Sequence, residues 1–164
     1  MRTVRTTILG ALAGLLAWGF ASPGVTAQQQ APTITVRVSG AAWTYTHEQL
    51  LAMATDTLPN RTATRKNPAI PLSTILFKDT GLSPGKIQIV FLIASKITVL
   101  RGNDLAYLDR LVLKNGPDKG GRPHHWALAP KDEEAYKVVA SHMGAPRKKG
   151  IYRIDILPKV ETGG

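Results

Sequence analysis

The sequence predicts an α+β domain, a mixed and barrel-like β-sheet carrying a few short helices, and three observations predict it. Short segments rich in β-branched residues recur along the chain, alternating polar and apolar at residues 33–38 and apolar throughout at Ile87–Ile93. Helix-start chemistry stands between such segments, with Thr46 three residues before Gln49 and Asp132-Glu133-Glu134 ahead of an apolar stripe. The 164 residues, less an apolar leader, are enough for one domain with a real core and too few for two.

Structure is expected to begin at Thr33. Ile34, Val36 and Val38 share one face of a half-buried strand, Ser39-Gly40 turns the chain, and Trp43-Thr44-Tyr45 suits the returning strand of a hairpin. Thr46 and Gln49 form a capping-box pattern ahead of Leu50, Leu51, Met53 and Ala54, so a helix is expected over 46–54. Residues 56–69, rich in Thr, Asn, Arg and Pro, show no clean period and are expected to be irregular. Pro71 fits the first turn of the next helix, where a missing N–H costs nothing; Leu72, Ile75 and Leu76 make its buried face, and Gly81 ends it.

Ile87–Ile93 is the candidate central strand, because a strand covered on both faces carries no alternation. Ala94-Ser95-Lys96 connects it tightly to a strand at 97–100, and residues 101–104 open a helical turn capped by Asn103 or Asp104. Leu111-Val112-Leu113 resumes the sheet before Asn115-Gly116-Pro117 turns it. Beyond a Gly-rich charged loop at 118–123, residues 126–130 make a further short strand. The helix that follows opens on acidic groups that complement its dipole, presents Tyr136, Val138, Val139 and Met143, and stops at Gly144. In the closing strand at 151–157, Tyr152, Ile154 and Ile156 are read as the inward set.

Residues 1–27 read as a secretory signal peptide. Arg2 and Arg5 precede an apolar run from Ile8 to Ala21, and Val25-Thr26-Ala27 puts small residues at the −3 and −1 positions of a cleavage site. The run is short of the roughly 20 residues a spanning helix needs, so cleavage after Ala27 is expected and no retained membrane span. The two arginines are not adjacent, which fits export of an unfolded chain that would acquire any cofactor afterwards. The expected organisation is therefore a signal at 1–27, a disordered leader at 28–32, one domain at 33–158 and a flexible tail at 159–164, in a periplasmic or secreted protein.

The chain carries 21 Lys and Arg against 11 Asp and Glu, a net charge of +10, which falls to +8 once Arg2 and Arg5 leave with the signal. A basic balance favours anionic partners through its long-range field. The charges are spread, densest at Arg147-Lys148-Lys149, where a solvated turn between Pro146 and Gly150 accounts for them. Neither aromatic residues interleaved with cations on a sheet nor a basic recognition helix is visible, so nucleic acid is not an expected partner. The absence of cysteine excludes disulfides, thiolate nucleophiles and Cys-held metals or clusters.

The strongest local constellation is His124-His125 beside Trp126, following Lys119-Gly120-Gly121-Arg122. Two imidazoles, a guanidinium and an ammonium on a Gly-containing loop can receive an oxyanion or a phosphate, because an Arg fork and backbone N–H groups match its geometry. Surface histidines next to a partly buried Trp are the competing reading. Adjacent strand residues point to opposite faces, so the two histidines are not expected to share a metal. His47 and His142 read as structural, and Glu48, Asp104 and Asp109 have no nucleophile paired with them. No G-x-S-x-G, H-E-x-x-H or Walker-type pattern is present. Placing Arg61, Arg65 and Lys66 near Arg122 would strengthen an anion site.

This order of elements resembles the molybdopterin-binding domain of the sulfite oxidase family. Residues 33–45 are similar to its V-x-V-x-G opening, and Ile70-Pro71-Leu72-Ser73-Thr74-Ile75-Leu76 to its G-V-P-L-x-x-L-L segment. Residues 111–116 are similar to its L-A-x-x-x-N-G strand and turn, and 126–130 with 151–157 to its closing L-R-L-V-V-P and V-x-x-I-x-V pair. The resemblance spans most of 33–157 and implies that family's fold, with molybdopterin as the cofactor such a fold can hold. In that family a Cys binds molybdenum; this chain has none, so no catalytic residue carries over. The expectation is an exported, non-catalytic binding or accessory protein with no cofactor. It would contact an anionic small molecule or an acidic protein through Lys119, Arg122, His124 and His125 and through Arg147-Lys148-Lys149. The competing expectation is a molybdopterin-dependent oxidoreductase, or a subunit of one, that holds its cofactor without a Cys ligand; a third is contact with acidic cell-envelope polymers.

Overall fold

The computed structural model describes residues 32–59, 66–116, 125–142 and 150–160. In chain order these hold β1 (Ile34–Val38), β2 (Ala41–Tyr45), α1 (His47–Ala52), β3 (Asp56–Pro59), β4 (Lys66–Pro71) and α2 (Leu72–Phe77). They continue with β5 (Ile87–Ile93), β6 (Ile97–Arg101), β7 (Leu111–Gly116), β8 (His125–Pro130), α3 (Glu133–Ser141) and β9 (Arg153–Pro158). Short 3-10 turns precede β5 at Pro84–Lys86 and follow β6 at Gly102–Tyr107. The α+β class holds. The barrel-like form does not: the described strands make two open sheets, one of five in the order β2-β1-β9-β5-β6 and one of four in the order β3-β4-β7-β8.

Local chemistry accounts for several of these elements. Ser39 and Gly40 both have positive φ, the two-residue hairpin geometry whose twist suits the strands it joins. Ile34, Val36 and Val38 are buried on one face of β1, as their alternation requires. Thr46 caps α1 reciprocally: the Gln49 N–H donates to Thr46 Oγ1 at 3.3 Å, and the Thr46 N–H donates to Gln49 Oε1 at 2.8 Å. Ile87–Ile93 lies inside the five-stranded sheet between β9 and β6.

Elsewhere the structure corrects the sequence. Residues 56–59 and 66–71 are strands, antiparallel to each other, rather than irregular. Pro71 ends β4 and stands at the N-cap of α2 instead of inside its first turn, while Leu72, Ile75 and Leu76 are buried as expected. Asp104 does cap the turn after β6, accepting the Arg101 N–H at 3.3 Å, but from the third position rather than the first. β7 runs through Asn115 and Gly116 instead of turning there. In α3 the buried set is Ala135, Val138 and Val139, and Tyr136 is exposed, because positions three and four apart share a helix face. Met143 and Gly144 lie outside the described residues.

In the closing segment Ile154 and Ile156 face inward as expected, but Tyr152 does not join them. Tyr152 is 55% exposed and Ile151 is buried, because the pleat of β9 starts only at Arg153. The two residues before it tie the sheets together. The Ile151 N–H donates to the Trp126 carbonyl of β8 at 2.7 Å, whereas the Tyr152 N–H donates to the Ile93 carbonyl at 3.1 Å and its own carbonyl accepts the Thr35 N–H at 3.0 Å. β9 then enters parallel to β1 and antiparallel to β5. Ile34, Val36, Leu92, Leu100 and Ile154 from one sheet and Ile70, Leu111, Leu113, Trp126 and Leu128 from the other belong to one continuous apolar cluster with the buried faces of the three helices.

Candidate functional site

The four-stranded sheet has two unlike ends. Where β7 begins, Arg110 donates from Nε to Asp132 at 2.6 Å and from Nη1 to Glu134 at 2.5 Å. Asp132 also caps α3, accepting the Ala135 N–H at 2.9 Å. The hydrogen bond from Arg110, and then the one from Ala135, hold the Asp132 carboxyl below its ordinary range. Charge is matched locally at this end.

The other end is built from the last residues of β7, the first of β8 and the start of β4. Asn115 stands opposite Trp126 and Gly116 opposite His125. Asn67 of β4 comes against Gly116, its Nδ2 lying 3.9 Å from the place a Cβ would occupy. Asn67 and Asn115 are 8% and 3% exposed, so two of the three buried polar side chains among the described residues stand here. Buried amides persist only where the surroundings meet their hydrogen-bonding needs, which marks this end as polar by construction. Lys114, one residue before Asn115, is half-buried, and burial lowers its pKa. Trp126 is fully buried with its Nε1–H facing no acceptor among the described residues, and its ring centroid is 6.0 Å from that of His47 on the first turn of α1.

Gly150 closes the end. Its φ is +74°, and a Cβ on it would sit 2.8 Å from the His125 Cβ, so the chain returns hard against β8 at that residue. Three stretches therefore attach here: 60–65 joins Pro59 to Lys66, 117–124 joins Gly116 to His125, and 143–149 leads into Gly150. By sequence they hold Arg61, Arg65, Lys119, Arg122, Arg147, Lys148 and Lys149 against the single acid Asp118. Most of the positive excess of the chain beyond the signal is tethered to one end of one sheet.

Of the site residues expected from the sequence, His125 is the first residue of β8 and half-buried. Lys119, Arg122 and His124 lie outside the described residues, as do Arg61, Arg65 and 147–149; of Lys66 the backbone is described, at the start of β4. Sequence reasoning missed Asn67, Asn115 and Lys114. The signal available was the repeated Lys-Asn pair at 66–67 and 114–115, hidden because a following Pro or Gly made each read as a loop or turn. His142 places its Nε2 3.4 Å from Asp104 Oδ2.

Elsewhere, two open grooves of about 450 and 460 Å³ flank Pro84. A molybdenum centre of the sulfite oxidase kind would need a cysteine thiolate, which this chain lacks, and among the described residues no three metal-ligating side chains come together. The residues present do not fit such a metal centre. No protein-family model, no curated protein and no solved structure matches the chain.

Proposed function

We propose that the chain is an exported, non-catalytic binding or accessory protein. It takes an anionic small molecule, or the acidic surface of a partner protein, at the His125 end of the four-stranded sheet. The observation that carries this reading is the shared attachment of the three basic segments beside His125, Gly116 and Gly150. Cations gathered at one place add their fields, and a half-desolvated Lys114 next to buried amides works in a medium that screens less than water. The molybdopterin-domain type of fold, without that family's metal-binding Cys, is part of the proposal; its support is the motif order from residue 33 to 157. A periplasmic or secreted location is part of it too, supported by the composition of residues 1–27.

The test is calorimetric titration of the chain from Gln28 onward with inorganic pyrophosphate and, separately, with a poly-aspartate peptide, at low and at physiological salt. Saturable binding that weakens with salt and drops about tenfold in Arg122→Gln is expected. Binding of neither probe would sink the reading. Near-stoichiometric molybdenum or pterin, in protein purified from a host able to make that cofactor, would replace it with the oxidoreductase one.

A further inference from the structure

The outer face of the five-stranded sheet departs from the pattern of a solvated sheet. On an antiparallel sheet covered on one side, the open face is ordinarily polar. Here the register sets Ile89, Phe91 and Ile93 of β5 beside Ile97 and Val99 of β6, with Leu157 of β9 next to Ile89. By strand alternation all six lie on the side of the sheet opposite Val90, Leu92, Leu100, Ile154 and Ile156, the residues the core takes. Ile97 is 60% exposed and Leu157 44%, Ile89, Phe91 and Val99 are half-buried, and Ile93 is buried. The described helices make their main contacts elsewhere, α1 with β2, α2 with β4 and β7, and α3 with β8.

Cations border this apolar patch. Lys96 stands at the turn that starts β6, Arg101 ends the same strand, and Arg37 shares the row of Phe91 and Val99; all three are exposed. Asp155, the one acid of the face among the described residues, is bridged to Arg153 at 3.2 Å. We propose that this face lies against an anionic membrane surface, the aliphatic side chains entering the interface and the cations meeting lipid phosphates. Charge selects that occupant. A second copy packed face to face would set Arg37, Lys96 and Arg101 against their own kind, whereas an anionic lipid layer complements them and needs no shape-specific pocket. Peripheral contact requires no spanning helix, and among the described residues none is long and apolar enough to be one.

The experiment is sedimentation of the chain from Gln28 onward with vesicles of phosphatidylglycerol and phosphatidylcholine in equal parts, against phosphatidylcholine alone. Retention on the anionic vesicles only is expected, with a loss of about tenfold in Ile97→Glu and again in Lys96→Glu/Arg101→Glu. Ile97 is well exposed, so near-ultraviolet circular dichroism should show both variants folded. Three results would each overturn the proposal: no retention on anionic vesicles, equal retention of wild type and Ile97→Glu, or a dimer by light scattering that Ile97→Glu dissociates. The last would assign the face to a second copy paired along the β6 edge. None of these readouts depends on pyrophosphate binding, so this proposal and the preceding one stand or fall separately.

Discussion

Gly150 meets two constraints at once, a left-handed backbone and a neighbour 2.8 Å from where its Cβ would be, whereas Gly81 has a φ of +67° and open space around it. Gly81→Ala should therefore cost only the backbone term, about 1–2 kcal/mol. Gly150→Ala adds overpacking against β8 and should cost about 2–4 kcal/mol in urea unfolding. Equal losses would mean that the chain does not return against His125. Tyr45 offers a second test. It is 5% exposed and donates to Asp79 Oδ2 at 2.8 Å; burial first, then that bond and the Asp79 charge, push its phenol up from its ordinary value of 10. The fold thus favours the protonated phenol, and that stability is complete below the unfolded value and is lost as pH climbs above about 10. Tyr45→Phe should lose about 1 kcal/mol at neutral pH, for the missing hydrogen bond. Its stability should then fall less steeply than that of wild type above pH about 10, read from urea midpoints. Parallel curves would show that the phenol is not held in this way.

Among the elements, β9 is the one on which the five-stranded sheet depends, since it alone joins the β1–β2 hairpin to the β5–β6 hairpin. Ile154 sits at its centre, fully buried, and Ile154→Ala should cost about 2–5 kcal/mol in urea unfolding. Amide exchange in β1 and β5 should quicken together, and acceleration in one hairpin only would contradict the shared strand. How much of this was legible in the sequence depends on how local the cause is. The Thr46–Gln49 cap, the alternation of β1 and the unbroken apolar run of β5 are written in adjacent residues, and each was readable. β4 was not, because Pro68 and Pro71 argue against a strand that has neighbours on both sides. The structure resolves this by overlap: β4 pairs with β3 over 66–69 and with β7 over 69–71, so each proline stands where only one partner strand is paired. The site was half legible for a similar reason. His125 announces its chemistry, but the placing of the Lys66 end of β4 beside the Gly116 end of β7 follows from the pairing of those strands, which no local pattern encodes.

At the scale of the molecule, the distribution of charge separates a matched end from an unmatched one. Arg110 is paired with both Asp132 and Glu134 where β7 begins, while the segments joined to the chain where it ends hold by sequence seven basic residues and one acid. Exposed ion pairs of the first kind add little to stability, and a local excess of cations acts chiefly through a field reaching about 8–10 Å at ordinary salt. Such an arrangement favours capture of anions over folding. Replacing Arg147, Lys148 and Lys149 together with Gln tests this directly, because the change alters charge while keeping length and polarity. Urea unfolding should move by no more than about 0.5 kcal/mol, as for surface substitutions generally. Pyrophosphate binding should weaken several-fold at low salt and converge on wild type as salt rises, since a screened field no longer distinguishes the two chains. The same titration separates a field from a contact: a loss that persists at high salt would mean that these side chains touch the ligand, and no loss at any salt would remove them from the site.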